Sequence, residues 1–446
     1  MSTLFSFRNG DLILANEVRS DSYVNRLIAS EFEGIKSISS PQTKQIINEL
    51  GFDWDMMSVP GYLTFRPYAA FMEETTKLFV WKNVQRYCSE NQIPVQRIAG
   101  GDLYSLNNPL MKQHKTLAEE VGMYGDGLLE VTGNQILRFS GCTNKLSLLK
   151  QTNIDDRKLP FGIFEISHSY RYETEDELDC LVRNRFFHLP ELHIINENLD
   201  DGLNALLSAH SFMLKTLEKY GLDHIMLFST TRAFVDTHLD FIKEMCVNAK
   251  HPPVINIADE DSCENGIVFD VEYKACMSND NLVEIGTFQI DEGSTGFAYG
   301  ICYRGRPVTT VHAVFFGSSI ERTIYTFCDL SIRDNVPLPR WLAPVHIRIL
   351  PELEKDIELA LRYAAELSET YRVEVDDRSI SIEEKMKDAS KLMIEKIICI
   401  GADNKPNDIT EQCYSKIGGT NANLYSKEDF GAFNQFYPIR LSQRIL

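Results

Sequence analysis

The sequence predicts an α+β protein in two parts: a largely antiparallel sheet with flanking helices over 1–334, and a smaller α/β domain over 335–446. Three observations predict it. Residues 222–330 hold short β-branched or aromatic runs at hairpin spacing: IVFDVEYKACM, LVEIGTFQID, GFAYGICYRG and PVTTVHAVFF. Helices interrupt these runs without the strict βαβα alternation of a parallel sheet. After Asn335–Pro339 the pattern changes to alternating strand and helix, reached through VPLPRW.

In chain order, residues 1–70 are punctuated by Gly, Pro and Ser and predict no regular element. Apolar groups at helical spacing predict a long helix over 69–91, followed by a strand in IPVQRIA. GGDLYSLNNP is a breaker cluster, and 109–123 is helical. LLEVTG and QILRFSG predict a hairpin, with a helix from near Thr143 to about Lys150. Two alternating arms then face each other over 161–196, and an amphipathic helix covers 199–220. SSIERTIYTFCDL turns helical after the strand-rich region. In the second domain VHIRIL, RVEVDD and KIICIGADN read as strands, with helices over 353–371 and 381–393.

Composition narrows the function classes. A chain of 446 residues can build two or three domains around a large core. Its net charge of −19, from 45 basic and 64 acidic residues, argues against non-specific nucleic-acid or membrane binding. RNA binding through a local arginine patch stays open. Ten cysteines show no CxxC pair and no disulfide framework. MSTLFSFRNGDLIL lacks a basic start with a long apolar run, and no apolar stretch nears the roughly 20 residues that span a bilayer. A reducing, cytoplasmic location is expected.

The arms over 161–196 carry the most chemistry. Arg171 and Glu173 close the first; Arg183, Arg185 and Phe187 open the second. Arginine binds phosphate oxygens bidentately and an aromatic ring offers a stacking face, so the set suits the phosphates and base of a nucleotide. An ordinary hairpin with charged edges fits this segment equally well.

Several unconnected segments agree in order with one family. They are NPLMKQH (108–114), LRFSGC (137–142), SYRYE with the arginines after it, FDVEY with EIGTFQID (269–291), VHAVFFGSSIER, and RWLAPVHIRIL with RVEVDDR. Together they resemble a class II aminoacyl-tRNA synthetase of the archaeal-type threonyl group, from about Gly61 to Asn404. The resemblance implies motif 2 over Arg171–His193 and motif 3 over Gly317–Arg322. Arg171 would hold the α-phosphate of ATP, Glu173 would lie near the adenine, Arg183 would reach the terminal phosphates, and Phe187 would stack on the base. Glu321 and Arg322 would complete the ATP site, with Arg171 and Arg322 as the catalytic pair. Attack of a carboxylate on the α-phosphate builds negative charge that fixed cations and phosphate-bridging Mg²⁺ stabilise.

The resemblance also places zinc ligands on Cys142, His193 and His312. From the residues alone, Cys142 is a buried thiol and His312 a satisfied strand histidine, because the three come from distant segments. A Cys/His/His set with open positions suits a metal that binds substrate. Threonine offers it an α-amino group and a β-hydroxyl, whereas near-isosteric valine lacks the second ligand. Glu191 and Gln289 fall on amino-acid-binding positions.

Four departures from the family stand out. Glu191 replaces an aspartate and reaches one methylene further. Ile98 replaces the motif 1 proline, which weakens the expectation of a homodimer. Motif 3 carries one extra residue in GSSIER. No room is left for an amino-terminal editing domain, so serine, one methyl short of threonine, is expected to be activated measurably.

Residues 335–446 resemble an anticodon-binding domain up to IICIGAD, and 405–446 match nothing clearly. Counted over 337–446, 15 Lys and Arg stand against 18 Asp and Glu, so tRNA would be held by base-edge contacts rather than charge. The expected function is a zinc-dependent threonyl-tRNA synthetase-like enzyme using ATP, threonine and tRNA. The alternatives are an amino-acid adenylating ligase for a related amino acid or a non-tRNA acceptor, and a catalytically silent tRNA-binding paralogue.

Overall fold

A computed structural model describes residues 3–8, 11–18, 21–34, 39–112, 129–131, 133–258, 266–401, 409–413 and 439–443. The chain divides into two compact units. The first comprises Met1–Ser39, Trp54–Leu63 and Lys77–Thr326; the second comprises Ser40–Asp53, Thr64–Thr76 and Phe327–Leu446. The second unit therefore draws on segments that a division at 334/335 assigns to the first domain.

The first unit is built on a ten-stranded sheet. Its strands in chain order are β1 (Thr3–Arg8), β2 (Asp11–Leu14), β3 (Val95–Arg97), β4 (Phe161–Tyr170), β5 (Phe186–Asn196), β6 (His224–Thr231), β7 (Val254–Ala258), β8 (Ile267–Cys276), β9 (Leu282–Asp291) and β10 (Thr309–Phe315). Their order across the sheet is β2-β1-β7-β6-β8-β9-β10-β5-β4-β3. Only the β6/β7 and β3/β4 pairs are parallel. The antiparallel-dominated sheet follows from the hairpin-spaced runs, because short connections can join only antiparallel neighbours.

Among the described residues, the α-helices of nine or more residues up to residue 334 are α1 (Ser22–Phe32), α2 (Pro41–Glu49), α3 (Pro67–Glu90), α4 (Cys142–Lys150), α5 (Leu199–Lys219), α6 (Arg232–Met245) and α7 (Ile320–Asp334). Helix α5 lays Leu203, Leu206, Ala209, Met213 and Leu217 on the sheet, and its N-cap Asn198 accepts from the Asp201 amide. Its close seat depends on Gly202, where a Cβ would meet Ile290 and Thr309 carbons at 2.8 and 2.9 Å.

Two expectations change. Residues 1–70 hold four strands (β1, β2, Phe52–Trp54 and Leu63–Phe65) and the helices α1 and α2, before α3 begins at Pro67. Both helix starts carry readable signals: Asp21 caps α1, and Ser40 caps α2 ahead of Pro41 at its first turn. Strand β1 pairs with β2 as an antiparallel hairpin, whose sequence signal is the Asn-Gly between FSFR and DLIL, and on its other side with β7, about 250 residues away. The breaker cluster GGDLYSLNNP contains the strand Leu103–Ser105, which pairs with Gln135–Leu137 of the expected hairpin. Most of the 109–123 helix, and Gln113 and His114 of NPLMKQH, lie outside the described residues.

The second unit contains β11 (Ile347–Pro351), β12 (Val373–Val375), β13 (Lys396–Ile400), β14 (Ile409–Cys413) and β15 (Ile439–Arg440), with helices α8 (Ile357–Leu367) and α9 (Ile382–Lys391). The sheet order is β14-β13-β11-β12-β15, parallel except for β13/β14. A capping box between Ser381 and Glu384 starts α9. Inside the unit, Arg348 pairs with Glu374 at 2.7 Å and donates to the Tyr68 hydroxyl.

Candidate functional site

Side chains alternate between faces along a strand, so Phe187, Leu189, Glu191 and His193 on β5 share one face. All of these except His193 line a cleft of about 300 Å³, with Gln289 and His312 on the neighbouring strands and Cys142, Arg171, Glu173, Arg183 and Arg322 around them.

Three guanidinium groups converge at one end. The Arg171 guanidinium carbon lies 5.0 Å from the centre of the Phe187 ring. Arg183 stands 3.6 Å from Glu173 and 3.1 Å from Glu177. Arg322 donates through Nε to the Val182 carbonyl at 2.7 Å and lies 3.6 Å from Glu284. Burial holds the Arg322 pKa below its ordinary value; Glu284 opposes this, and the charges of Arg171 and Arg183 reinforce it. Such mutual repulsion is relieved by a polyanion. Burial also pushes Glu173 up, against the pull of Arg183 and Arg171.

The turn from β10 into α7 takes an uncommon path. Phe316, Gly317 and Ser318 all have positive φ, at 63°, 77° and 50°. A Cβ on Gly317 would meet the Thr323 hydroxyl at 2.1 Å, so only glycine fits there. Ser319 then caps α7 by accepting from the Arg322 amide at 3.0 Å. Glu321 differs from its expected place. It is fully buried, accepts from the His188 amide, and lies 2.8 Å from His188 Nδ1. It does not line the cleft; it ties α7 to β5.

At the other end, Cys142, His193 and His312 each offer one ligand atom, all within 4.8 Å of one another. His193 and His312 are direct cross-strand partners, and the same row continues through Gln289 to Asp270. Gln289 Nε2 donates to Asp270 Oδ2 at 3.4 Å, and its Oε1 lies 3.2 Å from His312 Nδ1. His193 Nδ1 is buried with no hydrogen-bond partner among the described residues. Burial, then the charge of Lys145, keeps the His193 pKa well below its usual value, so its imidazole stays neutral as a metal ligand must. Burial and Glu191 push the Cys142 thiol up to about 12, so in the metal-free chain it stays protonated. Tetrahedral bonds of zinc would set ligand separations of roughly 3.3–3.6 Å. The three atoms, within 4.8 Å of one another, would have to draw closer to meet them, and a sulfur with two imidazoles suits that ion.

Sequence reasoning missed the charges beneath the cleft. Lys145, fully buried on the turn of α4 after Cys142, donates to Glu191 Oε2 at 2.8 Å and to the Gly141 carbonyl at 3.0 Å. Glu165, the cross-strand partner of Glu191, pairs with Arg138 at 2.6 Å. Burial alone would raise the Glu191 pKa; Lys145, then His312, overcome it and hold the carboxyl well below the usual range. The available signal was parity. Glu165 and Glu191 sit in phase with His193 on inward-facing positions, and buried carboxylates need a buried cation.

Comparison with known proteins adds the following. The family model for the tRNA synthetase class II core domain (G, H, P, S and T) matches residues 130–330. A threonine–tRNA ligase of Thermofilum pendens is 29% identical over 89% of this chain and 66% of its own length. One from Staphylothermus marinus is 30% identical over 79% of this chain and 58% of its own. The chain thus spans about three-fifths to two-thirds of these relatives. Among solved structures, the RNA binding domain of a threonyl-tRNA synthetase from Cryptosporidium parvum superposes with a TM-score of 0.66 at 18% identity, covering 84% of this chain and 93% of its own. A Giardia lamblia prolyl-tRNA synthetase with prolyl-adenylate reaches 0.59 at 15%, covering 84% and 74%. At such identities the shared property is the fold.

Proposed function

With a class II tRNA synthetase core domain over residues 130–330 as the premise, we propose that this chain is a zinc-dependent threonine–tRNA ligase. It joins threonine to ATP as threonyl-adenylate and passes the acyl group to tRNA. The observation that carries the proposal is the two-ended cleft, with Arg171, Arg183, Arg322 and Phe187 at one end and Cys142 and His312 at the other.

The arginines bind the triphosphate with Mg²⁺, and Phe187 stacks on the adenine beside Glu173. Arg171 and Arg322 stabilise charge on the α-phosphate as the threonine carboxylate attacks and pyrophosphate leaves. No general base is needed, because the attacking group is already ionised. When bound by Cys142, His193 and His312, zinc supplies positions for both the α-amino group and the β-hydroxyl of threonine, which valine cannot match. Glu191 and Gln289 orient the amino acid. Residues 335–446 serve as the anticodon-binding domain, and the chain acts as a cytoplasmic homodimer. No helix of the described residues is long and apolar enough to cross a membrane.

Glu191 favours a second reading, adenylation of a related amino acid, because its longer side chain narrows the amino-acid end. Amino-acid-dependent pyrophosphate exchange across threonine, serine, valine and diamino acids tests both. Threonine is expected to give the highest rate, with charging of threonine-accepting tRNA following. Strongest exchange with another amino acid would move the assignment to that substrate, and no exchange with any would leave the tRNA-binding paralogue.

A further inference from the structure

We propose that Glu191 is a fourth protein ligand of the metal when no amino acid is bound, closing the coordination sphere with a carboxylate oxygen where an open site is expected. The inference rests on the zinc assignment above and deepens it.

The geometry points this way through three independent contacts. Glu191 Oε1 lies 3.1 Å from His312 Nε2 and 4.0 Å from Cys142 Sγ. Ligands around a tetrahedral zinc stand roughly 3.3 Å apart for oxygen and nitrogen and roughly 3.5 Å for oxygen and sulfur. The carboxylate oxygen therefore already stands near a ligand's distance from two members of the triad, His312 and Cys142. Its other oxygen is fixed, because Lys145 Nζ holds Oε2 at 2.8 Å from the far side. A carboxylate gripped on one oxygen presents the other, as an outer partner does for a metal ligand. Finally, the backbone makes room for this pose. A Cβ on Gly141 would stand 1.5 Å from Glu191 Oε2, so the residue just before Cys142 has to be glycine for the carboxylate to sit there. The extra methylene of glutamate over aspartate supplies the reach.

An amino acid entering the site then competes with Glu191 rather than with water, which penalises any ligand that offers the metal a single donor.

The test uses the full chain loaded with cobalt(II) or zinc, and its readouts are metal affinity and the cobalt visible spectrum. Wild type is expected to bind one cobalt with an intense four-coordinate spectrum that millimolar azide leaves unchanged. Glu191→Gln is expected to lower zinc affinity about 10–100-fold in competition with a chromophoric chelator, and to make the cobalt spectrum responsive to azide. Azide shifting the wild-type spectrum overturns the proposal and needs no variant. Unchanged affinity and spectrum in a folded E191Q protein also overturn it, while one bound cobalt per chain leaves the zinc assignment intact. A wild-type chain that binds no cobalt or zinc overturns both.

Discussion

Replacing Lys145 with methionine tests the buried charges under the cleft. The ammonium is fully buried, 2.8 Å from Glu191 and 3.8 Å from Glu165. Removing one partner of a buried pair costs about 3–5 kcal/mol, because the other charge is left in a poor solvent. Glu165 keeps Arg138 at 2.6 Å, so the loss falls on Glu191, which retains a 3.1 Å contact with His312 and a 4.0 Å contact with the Cys142 thiol but no full positive charge. We therefore expect about 3 kcal/mol for Lys145→Met. Glu191→Gln added to it removes the stranded charge and should restore all but about 1 kcal/mol, a coupling of about 2 kcal/mol. The assay is urea unfolding with a chelator present, in a Trp341→Phe background, so that Trp54 and Trp81 report the first compact unit alone. A single-variant cost below about 1 kcal/mol, or additivity within about 0.5 kcal/mol, would refute the argument.

Further outcomes follow from other contacts. Gly141→Ala has no backbone objection but fills the space of the Glu191 carboxylate, so zinc affinity should fall about as far as in E191Q. Phe187→Ala should raise the KM for ATP about 5–150-fold in pyrophosphate exchange, the worth of one stacked base, with the KM for threonine nearly unchanged. The second unit should be acid-labile through His346. Burial, then the charge of Arg372, holds its pKa at about 3, and its Nδ1 already accepts from the Arg372 amide. Below about pH 6.5 the unfolded chain takes a proton that the folded one refuses, so stability is complete above that pH and declines toward the folded value. From pH 6.5 to 4.5 the loss is at most about 2.7 kcal/mol, and His346→Gln should remove that slope in unfolding followed by Trp341 fluorescence.

The sheet was readable because its evidence is local. Alternation over 161–170 and 186–196 and the β-branched runs from 267 onward gave strands close to those observed. The long helices were equally plain from their 3.6-residue spacing. What could not be read locally was convergence. Cys142 opens a helix and His193 and His312 lie mid-strand; nothing in their neighbourhoods distinguishes them from core residues, and only the family resemblance joined them. Lys145 was invisible for a related reason: a lysine in TNKLSLLK looks like the wet side of a helix until Glu165 and Glu191 are known to lie beneath it. Strand β1 was missed although half its evidence is local: Asn-Gly between FSFR and DLIL is a hairpin signal for β1 with β2, and only its pairing with β7 is remote in sequence.

The row Asp270–Gln289–His312–His193 crosses four strands at one level, each residue directly opposite the next. Sliding any of these strands by a single position would turn its member of the row toward the opposite side of the sheet. Since β5 and β10 meet only after more than a hundred intervening residues have been arranged, the row is completed late in folding. Metal uptake by a refolding chain should accordingly lag behind the recovery of helical circular dichroism, which makes the ion a chemical witness that the centre of the sheet has locked into alignment.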